Sequence, residues 1–239
     1  MPAGIPMRMT TMTTIITTDP APLLRLLAWM SPAFPTGAYA YSHGLEWPVD
    51  RGEITDGPSL QAWIGDILRH GAGHNDAILL RRAHRAAGDF DALVAVAEMA
   101  LAVCASAERR AETIGQGNAF LAAASAWQPV GLRRLADRVG DLAYPVAVGA
   151  LAGAQGIAEE AACCALLQGF AANMISACVR LVPLGQSTGL AVLAALEPVI
   201  VAVAAATRTA TLADLGGFGF RADLAAMHHE TQYTRLFRS

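Results

Sequence analysis

Residues 142–207 read LAYPVAVGALAGAQGIAEEAACCALLQGFAANMISACVRLVPLGQSTGLAVLAALEPVIVAVAAAT, and how this stretch is read decides the fold. Its charged side chains are Glu159, Glu160, Arg180 and Glu197. Three helices are predicted within it. The first, Tyr144–Gly156, carries Gly149, Gly153 and Gly156, small residues that let neighbouring helices approach closely. The second, Glu159–Leu181, has two acids near its positive N-terminal end, where they are favoured. The third begins at Ser187 or Thr188, after Pro183 and Gly185, and ends near Thr207. Two architectures produce such a run. One is a membrane span, because Thr188–Thr207 has the roughly 20 residues that a bilayer core requires. The other is the centre of a helical bundle, where helices are apolar all round. Glu197 and Pro198 fall mid-span, and an uncompensated acid there costs roughly 2.5–3.5 kcal/mol on insertion. Much of the apolar content is alanine, which drives insertion weakly. The expected architecture is therefore all-α, a single compact domain of about ten helices around an Ala/Leu-rich core. No alternating strand pattern competes with it.

The whole chain has 239 residues, 54% hydrophobic and 15% charged, enough to bury such a core. A net charge of −3 leaves no basic footprint for nucleic acid or for an anionic membrane surface. All 17 basic side chains are arginine. A chain without lysine has neither the phosphate-reaching lysine of a P-loop nor Schiff-base chemistry. Cys104, Cys163, Cys164 and Cys178 form no C-x-x-C pair and sit in apolar helical contexts. Buried free thiols in a reducing cytosol are expected. His70 and His74 are four residues apart but enclose Gly71 and Gly73 and lack an adjacent glutamate, so they are expected in a loop or on the surface. No Ser/His/Asp, Cys/His or paired-carboxylate arrangement stands out, and no catalytic residue is assigned.

Residues 1–20 are expected to form a flexible tail, lacking the charged start and apolar run of a secretory signal. The helical domain then occupies residues 21–239, opening with a helix over Ala21–Met30. Residues 31–47 read SPAFPTGAYAYSHGLEW. Pro32 and Pro35 oppose helix before them, and Gly37 permits a turn. Tyr39, Tyr41, Ser42, His43 and Glu46 are expected to crowd onto about two helical turns that break near Pro48. Asp50–Gly57 is turn-like, and Ser59 is expected to cap a helix beginning at Leu60. Further helices are expected from about Asn75 to Ala87 and from Asp89 to about Ser106.

Residues 106–117 read SAERRAETIGQG. Glu108 and Glu112 share a helix face, with Arg109 three residues before Glu112. As a bare pattern this is a solvated charged face worth tenths of a kcal/mol per pair. Residues 227–239 read MHHETQYTRLFRS. Adjacent helical residues point about 100° apart, so His228, His229 and Glu230 cannot all face one ion. Tyr233, Leu236 and Phe237 interleave with Arg235 and Arg238, the residue types of docking surfaces. The alternative is a tail folded back on its own core.

Four of these stretches together resemble the UreF family of urease accessory proteins. They are F-P-T-G with Y-S-H-G-L-E (Phe34–Gly37 and Tyr41–Glu46), R-x-E-T-x-x-Q-G (Arg110–Gly117), R-x-x-P-L-x-Q (Arg180–Gln186) and the ending H-E-T-Q-Y-T-R-L-F-R-S (His229–Ser239). They occur in family order. Where relatives commonly carry a second glutamine after the following glycine, this chain has Leu190. The resemblance implies a cytoplasmic, dimeric, non-enzymatic maturation factor. Its implied partners are a UreD/UreH-like accessory protein, the GTPase UreG and apo-urease. Nickel would pass through the complex, with no tightly bound metal or other cofactor, and GTP hydrolysis would be modulated. The implied partner surface comprises Pro35, Gly37, Tyr39, Tyr41, Ser42, His43 and Glu46, extended by Arg109, Arg110 and Glu112. A second contact would come from the C-terminal tail, about residues 221–239, through His229, Glu230, Tyr233, Arg235, Leu236 and Arg238, ordering on binding. Two other classes stand beside this reading: a small helical integral membrane protein and a metal-dependent helical enzyme.

Overall fold

The computed structural model describes residues 19–239, so the expected tail lies outside the described residues as far as residue 18. Eleven α-helices and no strand occur among the described residues. They are α1 (Ala21–Trp29), α2 (Glu46–Asp50), α3 (Gly57–His70), α4 (Ala72–Arg85), α5 (Phe90–Ala102), α6 (Ala107–Ala123), α7 (Val130–Val139), α8 (Tyr144–Ala154), α9 (Glu159–Leu181), α10 (Gln186–Ala206) and α11 (Phe220–His229). The all-α single domain is as expected, and the long apolar stretch divides into α8, α9 and α10.

Local chemistry sets the boundaries. Asp56, not Ser59, caps α3: its carboxylate accepts from the Ser59 amide at 2.9 Å, while the Ser59 hydroxyl accepts from the Asp56 amide at 3.1 Å. This reciprocal capping box starts the helix at Gly57, three residues before the expected Leu60. Asp89 caps α5 through the Ala92 amide, as expected, but α5 stops at Ala102 instead of running to Ser106. Ser106 is consumed as the cap of α6, accepting from the Arg109 amide at 3.2 Å. Pro48 does not end a helix. It lies in the first turn of α2, where a missing N–H costs nothing.

The core is organised by the approach of α8 to α4. A Cβ on Gly149 would stand 2.3 Å from the Leu80 carbonyl oxygen, and one on Gly153 equally close to that of His84. Both glycines therefore serve backbone contact, as their spacing implied. Gly156 does not; it takes φ +66° in the turn after α8 with open space around it. α3, α9 and α10 pack around this pair, and α6 runs along α8. Trp29 of α1 meets Phe120 of α6 edge-on at 5.8 Å and Trp127 at the same distance, tying the N-terminal helix down.

Arg81 of α4 is 1% exposed and joins three helices. It donates to Glu159 at 2.5 Å and Glu160 at 2.7 Å in the first turn of α9, and to the Ala204 carbonyl of α10 at 2.6 Å. Arg85 adds a pair with Glu159 at 2.6 Å. The two acids thus meet the helix dipole and fixed guanidinium groups together. By length and composition alone, α9 and α10 could each cross a bilayer. Here α9 packs against α4, α8 and α10, with its charged first turn anchored to α4. Cys104, Cys163, Cys164 and Cys178 are all free thiols. Cys163 and Cys178 are buried, and burial pushes both thiols up to about 11.

Gly149→Ala forces a methyl group onto the Leu80 carbonyl. It is expected to cost about 1–3 kcal/mol in urea unfolding. A loss below about 0.5 kcal/mol would mean that α4 and α8 do not approach as closely as described.

Candidate functional site

The signature stretch is a turn, not two helical turns. Gly37 at φ +74° leads into a 3₁₀ turn over Ala38–Ala40. Tyr41 is extended, His43 and Gly44 take φ +62° and +72°, and α2 follows. Gly44 is required twice, by its positive φ and by α11: a Cβ there would stand 2.8 Å from the Ala226 backbone. The expected crowding does occur, but through this irregular path.

The C-terminal residues 230–239 return to this turn as a docked strap. The Ser42 amide and hydroxyl both donate to the Ser239 carbonyl, the amide at 2.7 Å. The Arg238 amide donates to the Ala40 carbonyl at 2.9 Å. Glu46, 6% exposed, receives three donors: the Leu236 amide at 2.7 Å, the Phe237 amide at 2.8 Å and His229 Nε2 at 3.0 Å. His229 is fully buried, and its Nδ1 lies 2.7 Å from Glu108 Oε2. Arg235 completes the line, 3.0 Å from Glu108 Oε1. The Ser239 hydroxyl donates to Glu112 at 2.7 Å.

The charged segment of α6 is therefore no solvated face. Glu112 is 4% exposed and ion-paired to Arg109 at 2.7 Å. Burial opposes its ionisation, but Arg109, His43 and the Ser239 hydroxyl overcome that and hold the carboxyl well below the usual carboxylate range. His43 is pushed down to about 4, chiefly by burial and then by Arg109, so its ring is neutral at pH 7. His43, Arg109 and Glu112 line one side of a cavity of about 200 Å³, whose apolar wall includes Trp29, Phe34, Tyr144 and Phe170. Asp76 of α4 also faces it. Burial pushes this carboxyl up to about 6, with Arg109 opposing and Glu112 assisting. No group of three metal-ligating side chains occurs among the described residues. His228, His229 and Glu230 point three ways: His228 stacks on Trp47 at 4.6 Å, His229 is clamped, and Glu230 accepts from the Ala107 amide at 3.1 Å.

The named residues thus fall into two sets. Ser42, Glu46, Glu112 and His229 are buried and hold the strap, and His43 is buried beside Glu112 and Phe170, so in this conformation they do not themselves present a surface. Pro35, Gly37, Arg110, Glu230 and Arg238 are exposed, and Tyr41 and Arg109 are half-buried. Tyr39, Leu236 and Tyr233 are exposed to 70%, 65% and 103%. The sequence reading did not select Arg180 or Glu108 for the site, nor Phe237 and Ser239 as its anchors. Arg180 lies 3.7 Å over the Tyr39 ring and 4.3 Å over that of Phe237, and donates to the Tyr39 carbonyl at 2.9 Å. Its motif, R-L-V-P-L-G-Q, was legible, but its target was not. Leu190 lies elsewhere, 67% exposed on α10.

The fold and this corner define a class: an all-helical domain in which buried carboxylates dock a strap of its own chain and display aromatic, leucine and arginine side chains around it. The chain belongs to the UreF family, whose model matches residues 54–197. It is 50% identical over 223 residues to the urease accessory protein UreF of Rhodopseudomonas palustris strain BisB18, covering 92% of each chain. It is 50% identical to that of Methylobacterium sp. strain 4-46, covering 90% of this chain and 88% of the relative. For Xanthobacter autotrophicus UreF the identity is 51% over 92% of each.

Asp76→Asn tests the cavity electrostatics. The native carboxyl holds its proton more tightly than the unfolded one, so ionised Asp76 destabilises the fold above about pH 6. Near pH 7 the variant is expected to be about 1–3 kcal/mol more stable than the parent in denaturant melts. That gain should shrink as the pH falls through about 6 toward the unfolded value, and a constant difference would contradict the assignment.

Proposed function

We propose that this chain is a urease maturation factor that acts as a non-enzymatic scaffold. It would hold a UreD/UreH-like accessory protein and the GTPase UreG together for nickel delivery to apo-urease, as a homodimer in the cytoplasm. Family membership supports the urease connection, since the relatives at about 50% identity are named urease accessory proteins. The observation that carries the scaffold reading is the display of Tyr39, Tyr233 and Leu236 outward from a corner held by ion pairs. Aromatic side chains held in place lose little entropy on docking and are enriched among binding hot spots.

In this reading the exposed set meets the partner: Tyr39, Arg110, Tyr233, Arg235, Leu236 and Arg238. The buried set, Ser42, His43, Glu46, Glu112 and His229, fixes their positions. Nickel is cargo handed between partners. Modulation of GTP hydrolysis fits an exposed arginine reaching the UreG phosphates, the physics of an arginine finger.

Tyr233 is fully exposed, so Tyr233→Ala should leave the fold intact. The variant is expected to bind the UreD-like partner more weakly by more than about 1 kcal/mol, as is Arg235→Ala. Deleting residues 231–239 should abolish capture in a pull-down while helical circular dichroism is retained. Undiminished capture by the truncated chain would refute the strap as a partner contact.

A further inference from the structure

The cavity behind the signature turn is short of positive charge. Its charged lining consists of Asp76, Arg109 and Glu112, and the ring of His43 beside them is neutral. Arg109 and Glu112 pair with each other at 2.7 Å. Asp76 is left over: among the described residues its carboxylate finds no hydrogen bond and no ion pair, and only the field of Arg109 offsets the cost of its burial. His43, 4% exposed, also has unused capacity, because its Nδ1 lies 3.5 Å from Glu112 and has no hydrogen-bond partner. Buried polar groups are normally satisfied, and an unsatisfied carboxylate in a cavity calls for a donor that carries charge.

The rest of the wall narrows the chemistry. Trp29, Phe34, Tyr144 and Phe170 supply aromatic rings, whose faces attract cations. A volume of about 200 Å³ admits a group of several heavy atoms. A bare metal ion does not suit this lining, since no three ligating side chains come together among the described residues. An ammonium holds its water strongly, whereas a guanidinium is weakly hydrated, lies flat on rings and offers paired N–H groups to a carboxylate. Pro32, Tyr39 and Ser176 line the cavity and are exposed, so it reaches the surface beside Tyr39. We propose that this cavity binds a guanidinium group, with Asp76 as its counter-ion and the aromatic wall against its face. The group is either a free guanidine or the end of an arginine side chain that reaches in past Tyr39. Binding is a property of the isolated chain, and only the second source rests on the scaffold reading.

The test is a titration of the isolated chain with guanidinium chloride, followed by the Asp76 carboxyl carbon and the Trp29 indole resonances. It is run at about pH 8, where Asp76 is ionised, and up to about 50 mM at constant ionic strength, far below denaturing concentrations. Both signals are expected to move together and to saturate. Urea has the same shape and no charge, and should bind at least about tenfold more weakly, the scale of a charge-assisted hydrogen bond. Asp76→Asn should weaken guanidinium binding by a similar factor while the fold is kept, since that variant loses a destabilising charge. Repeating the titration on the complex with the UreD-like partner and UreG separates the two sources. Saturation persists if the ligand is a free guanidine and disappears if a partner's arginine fills the site. Absence of a saturable shift in the isolated chain, equal affinity for urea, or undiminished binding by Asp76→Asn would overturn the proposal.

Discussion

The carboxylate of Glu46 is the constraint on which the functional corner depends. It is buried, and it is satisfied only because three donors from a distant part of the chain come to it. Removing a charged group from water costs several kcal/mol unless such donors are supplied. The cost is met by the Leu236 and Phe237 amides and by His229, which belong to the last helix and the strap. One side chain of the signature turn therefore dictates where the C-terminus lies. Glu108 and Glu112 repeat the device in the first two turns of α6, taking Arg235, His229, Arg109 and the Ser239 hydroxyl.

Arginine is the other half of this arrangement. A chain whose cations are all arginine has a planar, multiply donating group wherever it needs a positive charge. Arg81 uses it to bind α4 to α9 and α10 in the core. Arg180 uses it to lie over two rings, one from the signature turn and one from the strap, while donating to the turn's backbone. Each joins elements that are far apart in sequence. The bundle supplies a rigid base through the α4–α8 approach, and the arginines and acids then assemble an irregular corner upon it.

Much of the fold was legible because helix period and breaker residues are local signals. α1, α8 and α9 begin where their sequences say they should. The error at α3 arose from choosing between Asp56 and Ser59, which form one reciprocal capping unit, and that at α5 from running the helix on to Ser106, which is the cap of α6. The signature turn was misjudged as helical because a positive φ at His43, a non-glycine residue, leaves no trace in composition. Of the site, the contributing stretches were identified, but not their convergence. Glu108 and Glu112 look solvated on a helical wheel, and nothing local to α6 reveals that the end of α11 and the strap, 121 to 127 residues away, cover them. Arg180 was visible within its motif, yet its stacking on Tyr39 and Phe237 is a tertiary fact.

The division between buried holders and exposed presenters is the central claim, and it turns on Glu46. The most direct measurement is the rate at which trypsin cleaves after Arg235 in Glu46→Gln under native conditions, read by mass spectrometry as the fraction of chains ending at Arg235. An amide cannot match a carboxylate as acceptor for three donors, so cleavage after Arg235 should accelerate by at least about tenfold with helical content unchanged. Cleavage at the parental rate would show that the strap is held by something other than this carboxylate, and the account would fail.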